Sequence, residues 1–267
     1  SANCQALELA NTCIEQRDVT SLSPANMPLA HIDPDRRPQG HRTTRVELHE
    51  PGEVFLYSLI KQCEGGAIKL APAAQLPEPW NAQVEREWIS HAGECKQLVV
   101  WFGALARWPG SKQATSISPD GTAHHSIAAD DEIAHNDSCQ LAETLGRYIY
   151  EPDPAVIAAG LVPAIAEQEE LSQLSADVAY LTGDKEPCSR LLTGFEVIDH
   201  TAMDIKRVKA MLKGHDVGRL EIKKRGVDVQ PEQLQRQLKA SGTQTATLII
   251  TPLKRRVTAV LAQRVKT

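Results

Sequence analysis

Aromatic residues are scarce in this chain, with three Phe, four Trp and four Tyr in 267 residues. Such a sequence builds its cores from aliphatic side chains and has few rings to stack on a ligand. No apolar run approaches the ~18 residues of a membrane-spanning helix, so none is expected. No basic segment followed by an apolar one opens the sequence, so no secretory signal is expected either. The six cysteines, Cys4, Cys13, Cys63, Cys95, Cys139 and Cys188, are scattered and form no C-x-x-C pair. That spacing argues against zinc and against a redox motif, and for reduced thiols in a cytoplasmic protein.

What is present is ordinary in amount but uneven in charge. Hydrophobic residues make up 42% and charged residues 24%, as in globular proteins generally. The net charge of −5 hides an asymmetry: residues 195–267 carry 15 Lys+Arg against 7 Asp+Glu. An acidic body is thus joined to a basic C-terminal module. A basic module is the electrostatic footprint of a nucleic-acid partner, or else of attraction between the two parts.

Read in order, the chain predicts a helix over Ala2–Asn11 and a short strand over Cys13–Val19 ending at Asp18-Val19. A strand over Leu29–Ile32 follows and stops at Asp33-Pro34. Proline fixes its own φ, donates no N–H and holds Asp33 extended. A carboxylate therefore stands at the strand's tip, where open α/β sheets bind ligands. A charged strand-to-loop turn would read the same way. Glu53–Cys63 has Leu56, Leu59, Ile60 and Cys63 on one helical face. Gly65-Gly66 ends that helix before a strand over Ala67–Ala71. Alternation of this kind predicts a doubly wound α/β sheet. Val84–His91 and Gln97–Gly103, joined by Ala92-Gly93-Glu94, predict an antiparallel end, with Trp88 and Trp101 buried.

Pro119-Asp120-Gly121 predicts a protruding hairpin inserted near residues 112–128. His124, His125 and His135 lack helical spacing and read as solvated, so no metal is expected. Ala128–Glu143 is acidic, poor in large apolar residues, and reads as disordered. Asp153-Pro154 is a helix start, with Asp153 the cap. Residues 148–194 therefore read as a mostly helical connector between a domain over residues 1–147 and a module over 195–267. The module reads β-α-β-α-β-β: strands at Phe195–Asp199, Val217–Ile222, Ala246–Thr251 and Val257–Ala262, helices at Asp204–Lys213 and Pro231–Lys239.

Three stretches carry a family resemblance. Asp216-Val-Gly-Arg-Leu-Glu-Ile-Lys-Lys-Arg-Gly-Val-Asp228, with Pro231-Glu232 and Ala246–Thr251, resembles the THUMP-like domain that ends a bacterial family of class I S-adenosylmethionine-dependent methyltransferases. Glu151–Ile157 and Tyr180-Leu-Thr182 resemble that family's middle region. Asp33-Pro-Asp-Arg-Arg37 resembles its Asp-Pro-x-Arg-Arg. The resemblance implies a partial Rossmann-like sheet and S-adenosylmethionine as cofactor. The family's opening strand with its Gly-rich turn, and the second strand ending in an acid, are not in this sequence. The chain looks like the family with its first quarter or third removed, which would expose apolar sheet edges.

The resemblance also assigns roles. Asp18, with Val19, corresponds to the acidic position that contacts the adenine amino group; a turn residue is the alternative. Asp33-Pro34 matches the Asp/Asn-Pro that accepts hydrogen bonds from a target nitrogen in amino-methylating relatives. Arg36 and Arg37 would grip a phosphate, or pair with Asp35. No cysteine follows a strand-end proline, so no cysteine nucleophile is expected. THUMP-type domains of tRNA-modifying enzymes bind RNA. Arg219, Lys223, Lys224, Arg225, Lys254, Arg255 and Arg256 are accordingly the expected RNA contacts, with a solubilising basic surface as the alternative. A non-catalytic RNA-binding protein with a degenerate sheet is the competing function.

Overall fold

The computed structural model describes Ala6 and residues 12–26, 28–38, 40–129, 139–254 and 256–265. Apart from Ala6, the expected first helix lies outside the described residues, as do His135, Arg255 and most of the acidic stretch after Ala128.

Two sheets carry the fold. The first has the order β1-β2-β4-β3-β5-β6. Its strands are β1 (Leu29–Ile32), β2 (Gly65–Leu70), β3 (Val84–His91), β4 (Glu94–Gly103), β5 (Ser111–Ile117) and β6 (Ala123–Ala129). Helix α1 (Glu53–Gln62) connects β1 to β2, which pair in parallel, Leu29 opposite Gly65. Such a connection needs a crossover element, and α1 supplies it by burying Leu56, Leu59 and Ile60. β4 returns antiparallel against both β2 and β3, giving the antiparallel end that the short Ala92-Gly93 turn implies.

Three expectations are corrected here. Cys13–Val19 is not a strand: residues 12–16 are irregular and Val19–Ser21 is a single 3₁₀ turn. Strand character without a neighbour to pair with leaves the backbone to local hydrogen bonds, and Asp18 supplies one as the turn's cap. Gly65 and Gly66 do not merely end a helix; they open β2. The hairpin is present around Pro119-Asp120-Gly121, but it does not protrude. Its first strand, β5, runs parallel to β3, so the hairpin widens the sheet by two strands.

The largest departure concerns residues 148–194. They hold β7 (Tyr148–Pro152), the short helices α2 (Pro154–Ala159) and α3 (Val162–Gln168), β8 (Ser172–Ser175) and β9 (Val178–Gly183). These strands are not a tether. They join a seven-stranded sheet of order β11-β12-β13-β10-β7-β9-β8. β10 (Leu192–Ala202) is long enough to pair β7 with its first half and β13 (Arg256–Arg264) with its second. Tyr148 and Tyr150 meanwhile pack into the core of the first sheet together with α2 and α3. Asp153 fastens the junction: its Oδ1 accepts from Ala155 N (2.8 Å), capping α2, and from Ser90 Oγ of β3 (2.6 Å).

The rest of the second sheet follows the expected β-α-β-α-β-β order. α4 (Ile205–Gly214) is capped by Asp204, whose carboxylate accepts from Arg207 N. β11 (Val217–Lys224), α5 (Pro231–Leu238) and β12 (Gln244–Leu253) complete it. α4 and α5 cover one face, over Leu220, Leu248, Ile250, Ala259 and Leu261. The opposite face buries Ile149, Tyr180, Phe195, Ile249 and Val260.

Among the described residues β1 is an edge strand, and Leu29 on it is 57% exposed. Its pairing depends on Gly66. A Cβ there would lie 2.2 Å from Ala30 O and 2.5 Å from Phe102 Cζ. Gly66→Ala should therefore loosen β1 and destabilise the fold by about 1–3 kcal/mol, read as a lower denaturation midpoint at unchanged slope.

Candidate functional site

The tip of β1 is built as its residues imply. Asp33 leaves the strand with an exposed side chain, and Pro34 beneath it is buried. Lys69 on β2 reaches across to it, Nζ to Oδ2 2.6 Å. Both partners are about half exposed, so this pair adds little stability and yields readily to a competing donor.

The arginine loop beyond it is braced at its base. Asp35 and Glu50 exchange two backbone hydrogen bonds, of 2.8 and 3.0 Å. Asp35 Oδ1 accepts from the backbone N of Arg37 (2.9 Å), not from a guanidinium. Among the described residues no ion pair includes Arg36 or Arg37, so both cations stand available at the β1 tip. Next to Glu50, at the far end of the loop, His49 is buried, and its Nε2 lies 3.2 Å from Thr43 O. A carbonyl only accepts, so Nε2 donates; Nδ1 is buried with no hydrogen-bond partner among the described residues. His49 was not singled out in the sequence. Its only signal is its place just before Glu50-Pro51.

Asp18 does not stand at a strand end. It caps the Val19–Ser21 turn, with Oδ1 accepting from Thr20 N (2.9 Å) and Thr20 Oγ1 (2.8 Å). The Thr20 hydroxyl and amide hold its carboxyl below the usual carboxylate range. Val19 is half-buried beside it. Neither Asp18 nor Asp33 lines the four cavities of about 350–500 Å³ found among the described residues. Asp18 already has its donors. The glycines of close approach, Gly65, Gly66 and Gly103, meet neighbouring protein atoms rather than opening a phosphate-sized turn.

The basic run of the C-terminal module divides into two groups. Lys223 and Arg225 do not present free charge. Lys223 Nζ lies 2.8 Å from Glu151 Oε2, and an Arg225 guanidinium nitrogen 3.3 Å from Glu151 Oε1. The side chains of Glu151 and Lys223 are only 17% and 22% exposed. Both cations also lie over aromatic rings, Lys223 over Phe195 and Arg225 over Tyr180. Burial and the Glu151 carboxylate push the Tyr180 phenol well up. Lys223 and Arg225, expected as RNA contacts, are here engaged with a half-buried acid of β7. Their partner is 72 and 74 residues away in sequence. Lys224, Lys254 and Arg256 are exposed and gather at one end of the sheet, where β11 and the β12–β13 turn meet. Arg219 is exposed too, but lies five residues back along β11, roughly 16 Å away.

The contact with Glu151 also measures curvature. In the sheet β11 and β7 are separated by β12, β13 and β10. A flat sheet would hold them about 19 Å apart. An ion pair of 2.8 Å requires the sheet to roll toward itself over Phe195.

Among the described residues no group of three or more His, Cys, Asp or Glu is placed to hold a metal ion. Among the described residues no helix is long and apolar enough to cross a membrane. The thiols of Cys63, Cys95 and Cys139 are pushed up by burial, Cys95 to about 11 with Asp153 adding to the effect.

Two measurements check this geometry. Glu151→Ala should destabilise by about 2 kcal/mol, because it leaves half-buried Arg225 without its acid and Lys223 with only Glu221 at 3.9 Å. A double-mutant cycle with Lys223→Ala should return a coupling of about 1–2 kcal/mol in denaturant melts. Cys95 should alkylate with iodoacetamide at pH 8 at least about tenfold more slowly than an unperturbed thiol, read by peptide mass mapping.

Comparison with known proteins agrees with this architecture. Residues 192–264 match the family model described as THUMP domain-like. Two curated relatives, from Mycobacterium tuberculosis strains CDC 1551 and H37Rv, are each 34% identical over 224 residues. Both are described as uncharacterized S-adenosylmethionine-dependent methyltransferases, and each match covers 82% of this chain. A crystal structure of a candidate methyltransferase from Porphyromonas gingivalis W83 superposes with a TM-score of 0.75 at 19% identity, covering 90% of this chain and 60% of that one. The chain spans 59% of the length of its curated relatives. On these matches the chain belongs with the S-adenosylmethionine-dependent methyltransferases that end in a THUMP-like domain.

Proposed function

We propose that this chain is the substrate-side portion of an S-adenosylmethionine-dependent methyltransferase acting on RNA, with tRNA the natural candidate. The observation that carries the reading is the tip of β1. Asp33 projects from a strand end on a buried proline, beside two arginines that no acid of the described residues pairs. A carboxylate there can accept from an exocyclic N–H of a base once Lys69 yields. Arg36 and Arg37 can meet the flanking phosphates with guanidinium forks. The match to the mycobacterial methyltransferases supports the activity, and the match to the THUMP-like family supports the RNA partner. Asp33 is a positioning acceptor in this reading. Cofactor binding requires structure beyond what Asp18 and Val19 supply.

One observation favours a second reading, an RNA-binding protein without catalysis. The adenine-contacting position, Asp18, has its carboxylate committed to Thr20.

Calorimetry separates the two. S-adenosylhomocysteine is titrated into this chain and into a fusion that adds the stretch of the mycobacterial relative the chain does not match. Heat is expected from the fusion and not from the chain alone; silence from both removes the methyltransferase reading. In the fusion, tritium transfer from S-adenosylmethionine to total RNA should fall about 100-fold or more on Asp33→Ala, at unchanged melting temperature. Unchanged transfer would remove Asp33 from the reaction.

A further inference from the structure

Much of the unpaired positive charge of the C-terminal module lies on its helices, beside Arg219, Lys224, Lys254 and Arg256 on its strands and turn. α4 reads Ile-Lys-Arg-Val-Lys-Ala-Met-Leu-Lys-Gly and contains four cations and no acid. Val208, Met211 and Leu212 face the core. Lys206, Lys209 and Lys213 are spaced three and four apart, so they share an exposed stripe of the helix. Lys239, the left-handed C-cap of α5, faces the same region. Between the C-terminal ends of the two helices lies a cleft of about 470 Å³, lined by Lys209, Lys213, Lys239, Asp216, Ser241 and Gly242 among others.

Three features mark the cleft as more than a solvated surface. First, among the described residues no ion pair includes Lys206, Lys209, Lys213 or Lys239, whereas Lys223 and Arg225 are matched to Glu151. Second, the carboxylates at this end already have hydrogen-bond partners of their own. Asp216 accepts from the Thr243 amide (3.3 Å) and hydroxyl (2.5 Å), and Asp199 faces His215 Nε2 at 2.9 Å. Third, the wall is set by direct backbone approach. A Cβ on Gly218 would lie 1.8 Å from Gly242 O, and one on Gly242 2.0 Å from Asp216 O. The helix dipoles explain one cation near each C-terminus; Lys209 exceeds that need, and its i,i+4 neighbour Lys213 repels it. Like charges kept adjacent and unpaired around a cleft are placed for an anion.

We infer that the phosphate-binding surface of this module is the α4–α5 cleft, through Lys209, Lys213 and Lys239, and that its ligand is the sugar–phosphate backbone of RNA. The inference rests on the RNA reading above and relocates its contact. The cleft adjoins the start of β11, whereas the Lys223–Arg225 run lies at the strand's other end, roughly 25 Å away. No aromatic side chain lines the cleft, so recognition here is of phosphates and independent of sequence.

The test uses the intact chain and unfractionated tRNA, with affinity read by fluorescence anisotropy over a salt series. The variant K209Q/K213Q/K239Q changes only exposed side chains, and thermal melts confirm its fold. It should bind at least about tenfold more weakly at 150 mM salt, with a log–log salt slope shallower by roughly 2. The comparison variant K224Q/K254Q should change affinity by less than about twofold. Acetylation footprinting of the unaltered protein should show tRNA shielding Lys209, Lys213 and Lys239 and leaving Lys224 open. An unchanged slope in the triple variant overturns the cleft and leaves the RNA reading standing. No tRNA binding by the unaltered chain overturns the RNA reading, and the cleft with it.

Discussion

The Glu151 carboxylate is the constraint on which the second half of the molecule depends. It sits on β7 with little exposure and would be costly there alone, because desolvated charge must be matched. Lys223 and Arg225 match it from the end of β11, with three strands between. Only a rolled sheet brings them together, and rolling closes the apolar face over Phe195, Ile249 and Val260. The charge pairing and the burial of that face are therefore one event. The cations contribute greasy stems and ring contacts as well as charge, so their loss would be felt as packing too.

Much of the C-terminal module was legible because its signals are local. Asp204 caps α4, Pro231 opens α5, and strands with alternating or continuous apolar runs lie between them. The same holds for Asp153-Pro154 and for the β3–β4 pair. What escaped was non-local. β8 and β9 are short, and no local pattern announces that β9 pairs with β7 and β8 with β9 rather than forming a tether. Cys13–Val19 has strand-like residues, yet propensity yields to the absence of a neighbour among the described residues.

The site divides along the same line. Asp33-Pro34 at a strand tip follows from two adjacent residues, and the fold places it there. The roles of Lys223 and Arg225 do not follow from their neighbours, because the acid that claims them lies some seventy residues earlier. A run of cations reads as a surface feature until its partners are located. The α4 lysines lie on the side of the helix opposite the apolar stripe that identifies it. A ten-residue helix with four cations and no acid is itself a compositional signal.

Asp153 has a consequence for mechanics. It stands two residues after Glu151, and between them these two acids hold β11, the start of α2 and Ser90 of the first sheet. A pull on the basic end of β11 passes through Glu151 into β7 and is delivered two residues later to β3. With shared core residues on either side, there is no slack segment in that path. The two sheets thus meet like the arms of a caliper, and the two acids sit at its pivot.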